Sequence, residues 1–396
     1  MITNKQLFLD YVGQTSLSPM GLEFTKAEGI YIYDKKGKAY IDLVSGVSVS
    51  NLGHSNSNII KSVCDQIKSY SHLMVYGEYI QSPQVELARL LSENLPEGLD
   101  KIYYVNSGSE AIEGALKLAK KYTGRSELIS FRNAYHGSTH GALSIMGDEK
   151  LKTDFRPLLP DTRILNFNSV ADLQKITSKT ACVIAEVIQA EAGIIIPQNN
   201  FLKKLKERCS DTGALLIFDE IQTGFGRTGT LFAFEHYKVI PDILTIAKAM
   251  GGGMPIGAFV SSRDIMNKLC NNPELGHITT FGGHPVSCAS GLASLQILLG
   301  ENYISTSEEK SNLFRKYLKH KCIKSIRGKG LFLAVELEDP RILRKFQNIC
   351  IELGIIFDLF LFCDNAFRIA PPLIITREQI KETCELLLEA FNRSKN

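Results

Sequence analysis

The sequence predicts an α/β fold: a large domain with a mostly parallel sheet between helices, and a small α+β domain drawn from both chain ends. Three observations carry this expectation. The middle of the chain alternates short apolar runs with helical periodicity. Several of those runs are apolar on both faces, which suits strands covered by helices on either side. At 396 residues the chain also exceeds the usual size of one compact unit.

Taken in order, residues 1–54 hold a hairpin signal, GIYIYDKKGKAYIDL, with two alternating runs around Asp34–Gly37. This segment is assigned to the small domain. Residues 55–300 make the large domain. There Ile102–Asn106 reads as a strand. A helical pattern follows (Ala111, Ile112, Ala115, Leu116, Ala119) and closes at Gly124. The runs 127–131, 181–188, 214–221, 243–248 and 255–262 read as further strands, suited to parallel pairing. In residues 301–396 the runs 328–337, 355–362 and 366–375 read as strands. A last helix starts at Thr376, with Gln379 three residues on as a capping box, and runs to about Phe391.

Composition narrows the function. The formal net charge is +3, too small to point to nucleic acid or a membrane surface. Nine cysteines are scattered without a CxxC pair, as in a reduced, cytoplasmic protein. The first residues lack a basic region followed by an apolar core, and no apolar run has the length of a membrane span. The histidines show no metal-ligand spacing, so no metal site is expected.

Three constellations carry chemistry. NSGSEA (Asn106–Ala111) lies between a strand and a helix. Gly108 and Ser109 would present free N–H groups at a helix N-terminus, which favours a phosphate. FDEIQTGFGRTG (Phe218–Gly229) puts Asp219 at the C-terminal end of an apolar strand, where ligands of open α/β sheets bind. A carboxylate there can pair with a cationic ring nitrogen. The same stretch matches GxGxxG at Gly224, Gly226 and Gly229. A nicotinamide fingerprint needs its first glycine at the strand end, and Asp-Glu-Ile-Gln-Thr intervenes. ILTIAKAMGGGMPIGAF (Ile243–Phe259) ends an apolar strand on Lys248, before three glycines. Desolvation there favours the neutral amine that forms Schiff bases. A phosphate cup, an acidic partner for a pyridinium and a Schiff-base lysine are together what pyridoxal phosphate needs.

With NSGSEAIEGALKLAKKYTGR, FDEIQTGFGRTG and IAKAMGGGMPIGAF in combination, and with NAYHG, EVIQAEAGI, ITTFGGHP and FRIAPPLIIT flanking them, the chain resembles the class III (ω-amino acid) aminotransferases of fold-type I. It is similar to the acetylornithine and ornithine aminotransferases nearly end to end. The resemblance implies that Gly108 and Ser109 hold the phosphate, Tyr135 and Ile221 cover the two ring faces, and Gln222 reaches the ring hydroxyl. Asp219 would pair with the ring nitrogen, and Lys248 would carry the cofactor. Thr280 would reach the phosphate of a partner subunit in a homodimer. Arg368 would bind a substrate α-carboxylate, with Glu191 as its gate and Glu186 in the same loop. His136 is read as structural.

The chain departs from the family at three points. It reads His136-Gly137-Ser138-Thr139 where HGRT is usual, so Ser138 replaces the arginine expected to bind a distal carboxylate. Arg132 and Arg156 lie nearby in sequence and are the candidates to replace it. Val187 stands for the usual Pro, and Ala190 for Gly. The expected activity is transfer of an amino group from an ω-amino acid or diamine donor to an oxo acid, 2-oxoglutarate first and pyruvate second. The alternatives are an aminomutase with the same cofactor, a nicotinamide-dependent oxidoreductase, and a non-catalytic binding protein. The last is disfavoured by the presence of both Lys248 and Asp219.

Overall fold

A seven-stranded sheet forms the centre of the computed structural model, which describes residues 2–394. Three strands precede it in the chain: β1 (Phe24–Glu28), β2 (Tyr31–Asp34) and β3 (Ala39–Asp42). The central sheet is built from β4 (Lys101–Val105), β5 (Glu127–Phe131), β6 (Thr162–Leu165), β7 (Thr180–Glu186), β8 (Leu215–Asp219), β9 (Ile243–Ala247) and β10 (Gly257–Ser261). Their order is β4-β10-β9-β8-β7-β5-β6. Side chains alternate between faces along a strand. Leu216 and Phe218 of β8 accordingly enter one apolar cluster, and Leu215 and Ile217 another. Both faces are covered, which is why these runs are apolar throughout.

One run differs in direction from its expectation. Residues 255–262 do contain a strand, but β10 is antiparallel to both β9 and β4. The link from β9 to β10 is shorter than a crossover helix requires. It makes a 3-10 turn at Lys248–Gly251 and turns back through Gly252 and Gly253, both at positive φ. The helix after β4 spans Gly108–Thr123. Ser107 caps its start, its Oγ accepting from Glu110 N at 3.2 Å, and Gly124 ends it at φ 68°.

The chain ends meet. β13 (Ile355–Ile356) pairs in parallel with β3, so the N-terminal sheet is completed from the C-terminal region. β11 (Ile323–Lys329), β12 (Phe332–Leu337) and β14 (Ala366–Ile369) form an antiparallel three-stranded sheet. Run 328–337 is therefore two strands rather than one. Gly330, at φ +52°, makes the turn between them, and a Cβ there would meet the Thr228 backbone at 2.6 Å. Run 355–362 is a strand only at its first two residues, because Asp358–Phe362 turns away to cover Arg368. Run 366–375 stops as a strand before Pro371 and Pro372, which cannot donate to a ladder. The final helix spans Arg377–Ser394. Its capping box is formed in both directions, Thr376 N to Gln379 Oε1 at 2.9 Å and Gln379 N to Thr376 Oγ1 at 3.2 Å. β1 and β6 carried no sequence signal; β1 is mostly exposed and has no alternating apolar face. No helix among the described residues is long and apolar enough to cross a membrane.

Candidate active site

The site lies at the C-terminal edge of the central sheet. Glu186 and Asp219 end β7 and β8 side by side in register, and Lys248 follows the last residue of the adjacent strand β9. A cavity of about 510 Å³ opens over this edge, and the N-terminus of helix Gly108–Thr123 borders it. Gly108, Ser109, Tyr135, Glu186, Glu191, Asp219, Ile221, Gln222 and Lys248 all line it.

Lys248 is buried, and desolvation holds its pKa below the usual lysine value. Asp219 and Glu191 oppose that shift, Arg368 adds to it, and Glu186 opposes it. Its backbone is left-handed at φ 52°. For a non-glycine residue this costs about 1 kcal/mol or more, and the rest of the fold must hold it. Asp219 is buried, and each of its oxygens has one protein partner. Its Oδ1 accepts from Ile221 N at 3.0 Å, and its Oδ2 lies 2.7 Å from His136 Nδ1. His136, read from sequence as structural, is thus the buried neighbour of the acidic group. Its one sequence signal was its place directly after Tyr135.

The floor of the cavity is acidic. Glu186 accepts from Tyr135 N at 3.3 Å and from Ala190 N at 3.0 Å. Burial first, and then the charge of Asp219, push its pKa well above the usual carboxylate range. At the helix N-terminus the first N–H groups have no intrahelical acceptor. Gly137, at φ 119°, packs against this turn, where a Cβ would come within 2.1 Å of Ser109 Oγ. A side chain there would fill the cup.

Three of the expected residues lie outside the lining. Arg368 sits behind Glu191, fully buried, with Nη2 2.6 Å from Glu191 Oε1. Ser138 is exposed at the rim; its Oγ is 3.1 Å from the Tyr135 hydroxyl and its N–H donates to Ser109 Oγ at 3.3 Å. Thr280 is exposed on this chain's surface and is not among the residues that line its own cavity. The two candidate replacements for the missing arginine are engaged elsewhere. Arg156 pairs with Glu149 at 2.6 Å, and Arg132 contacts Asn166 at 3.4 Å. Sequence reasoning missed a second carboxylate at Arg368: Asp358 Oδ2 lies 3.2 Å from Nη1. In GFGRTG, Gly224 and Gly226 pack closely and Gly229 turns at φ 96° in open space, while Arg227 is buried and bonded to Leu331 O at 3.0 Å and Pro371 O at 2.5 Å.

Residues 12–391 match the family model described as aminotransferase class-III. The acetylornithine aminotransferase of Clostridium acetobutylicum is 40% identical, over 93% of this chain and 96% of that protein. The [LysW]-aminoadipate semialdehyde/glutamate semialdehyde transaminase of Sulfolobus acidocaldarius is 38% identical, over 95% and 96%. A solved ornithine aminotransferase from Toxoplasma gondii, with pyridoxal phosphate at partial occupancy in its active site, superposes with a TM-score of 0.91 at 29% identity, over 100% of this chain and 97% of that one.

The cavity fits that cofactor. Gln222 Oε1 is buried without a hydrogen-bond partner, ready for a hydroxyl donor, and the glycine-walled helix start suits a phosphate. A desolvated lysine and a hydrogen-bonded aspartate are the group types the remaining chemistry needs. On these grounds the chain belongs to the class-III aminotransferase family and is a pyridoxal-phosphate-dependent transaminase.

Proposed function

We propose that the amino donor is an ω-amino acid or diamine and that the acceptor is an oxo acid, 2-oxoglutarate before pyruvate, in a ping-pong cycle. The observation that carries this is the ion pair between Glu191 and Arg368 at 2.6 Å. It engages the buried guanidinium through Nη2, and among the described residues no arginine and no lysine other than Lys248 lines the cavity to meet a carboxylate on the reacting carbon. An amine with no carboxylate there enters without breaking the pair. The similarity to relatives named for acetylornithine and for semialdehyde substrates supports the same donor class.

When bound, the cofactor supplies an aldehyde for the amino group and a ring that accepts the electron pair left on deprotonation of the substrate carbon. Gly108 and Ser109 would hold its phosphate, and Tyr135 and Ile221 its ring faces. Gln222 would meet its hydroxyl. Asp219, oriented by Ile221 N and by His136, would hold a proton on the ring nitrogen. Lys248 would carry the cofactor, and its amine, held by desolvation below the usual lysine range, is suited to take up and return a proton at Nζ. Glu191 would swing aside when an oxo acid brings a carboxylate to Arg368.

We further propose a homodimer in which Thr280 reaches the partner's cofactor; its exposure on this chain, outside its own cavity, is consistent with that placement. The domain division keeps residues 55–300 as the large unit and joins 1–54 with 301–396, supported by the pairing of β13 with β3. Nine free thiols support a cytoplasmic location. The test of the function is a panel of amino donors and oxo acids, each mixed singly with the loaded enzyme and followed by absorbance in a half-reaction. Failure of every ω-amine, with turnover of α-amino acids alone, overturns the proposal.

A further inference from the structure

Arg368 is held by more than its gate. Glu191 Oε1 takes Nη2 at 2.6 Å, and Asp358 Oδ2 lies against Nη1 at 3.2 Å. The Phe360 ring covers the guanidinium face, 4.8 Å from its carbon to the ring centroid. All three contacts involve one buried guanidinium, so one positive charge faces two carboxylates. The segment Asp358–Phe362 also grips the gate itself. Leu361 N donates to Glu191 Oε2 at 3.2 Å, and Phe362 N to Glu191 O at 3.0 Å.

The two carboxylates are placed differently. Glu191 lines the cavity and can be displaced by an incoming anion. Asp358 is not part of the lining. Its backbone is tied to the arginine's own strand by Arg368 N donating to Asp358 O at 3.1 Å, a link that does not run through Glu191. A carboxylate reaching Nη2 therefore meets a cation already neutralised from behind, with one guanidinium face blocked by an aromatic ring. Burial pushes the Asp358 carboxyl up to about 6, against the lowering effect of Arg368, while Glu191 and Asp42 push the same way as burial. The carboxylate is thus itself costly to keep, and its Oδ1 is buried without a hydrogen-bond partner.

We propose that Asp358 is a specificity-determining residue that weakens binding of any substrate carrying a carboxylate on the reacting carbon, and so tilts the enzyme toward amines lacking one. The proposal rests on Arg368 as the carboxylate anchor.

The test is calorimetric binding of glutarate, a non-reacting dicarboxylate, to the cofactor-loaded enzyme at pH 8. Asp358→Asn keeps the shape and removes the charge. Its dissociation constant should fall roughly tenfold or more, the size expected for losing one like charge next to a partly buried anion. Glu191→Gln should tighten binding separately, and the double variant should bind more tightly than either. Arg368→Gln should abolish binding. If Asp358→Asn misfolds, Asp358→Ser carries the same expectation. Glutarate affinity within twofold of wild type in Asp358→Asn, with binding lost in Arg368→Gln, overturns the role of Asp358 alone. Undiminished binding in Arg368→Gln overturns the anchor on which it rests.

Discussion

Ser138→Arg should convert the enzyme toward donors that carry a distal carboxylate. In the wild type, Ser138 Oγ is 3.1 Å from the Tyr135 hydroxyl, at the cavity rim beside the helix start. It can offer a carboxylate one neutral hydrogen bond. Arg156 is committed to Glu149 and Arg132 lies by Asn166, so neither supplies the missing charge. A charge-assisted pair is worth about 1.5–3 kcal/mol where water is excluded. The rim is exposed, so roughly half of that is expected, or about four- to tenfold in kcat/KM. The assay compares N-acetylornithine with a diamine of similar length in half-reactions of the wild type and the variant. Acetylornithine should be a mediocre donor for the wild type and improve about four- to tenfold in the variant, while the diamine loses ground. A wild type that already strongly prefers acetylornithine, with no gain from arginine, would refute the reasoning and show that another cation reaches that carboxylate.

Lys248→Ala should lose turnover by many orders of magnitude, since it removes the proposed attachment point and proton carrier; borohydride reduction followed by peptide mapping should place the cofactor on Lys248 in the wild type and nowhere in the variant. The depressed pKa of Lys248 also sets a sign for stability. Between its folded and unfolded values the unfolded chain binds more protons, so the cofactor-free protein should gain stability as pH rises across that window. Lys248→Met should remove that slope in denaturant titrations at a series of pH values. Asp219→Asn should cut turnover far more than cofactor affinity, because its position between Ile221 N and His136 keeps the shape while the charge is lost; near-normal turnover would sink its assigned role. Thr280→Ala should weaken cofactor retention on dilution, measured by sedimentation with cofactor absorbance, and a monomer that keeps its cofactor would count against the shared site.

The strands of the central sheet were legible because their chemistry is local. ILTIA and LLIFD are buried at every position, and a run of that kind has few other places to go. The helix between Ser107 and Gly124 announced both of its ends through a side-chain cap and a left-handed glycine. The direction of β10 was not legible, since a strand's residues do not record which way it runs; only the shortness of the 248–256 link does. The pairing of His136 with Asp219 joins residues 83 positions apart, and that of Arg368 with Glu191 joins residues 177 apart. Such contacts come from topology, and the second was anticipated only through likeness to known enzymes. Asp358 had no such guide. It sits in a run that looks like a strand, and only the fold shows that the run breaks to bring its acid to Arg368.

These long-range contacts explain why so much of the chain is needed for so small a cavity. The sheet edge supplies Asp219, Glu186 and Lys248, but Arg368 comes from β14, in a different sheet. Its position depends on how that sheet is seated. Arg227 does much of the seating: buried, it bonds Leu331 O, Pro371 O and the Asn51 side chain, and Asn51 Nδ2 bonds Phe225 O in return at 2.8 Å. Burial lowers its pKa to about 9, so keeping this cation inside costs free energy. The arrangement gains three chain segments fixed to one guanidinium, just behind the loop that carries Asp219. A hydrophobic residue of the same size would fill the volume and leave those carbonyls without a donor. Sequence motifs in this chain therefore divide into two kinds: residues that line the cavity, and residues such as Arg227 that hold the two sheets in the arrangement the first kind requires.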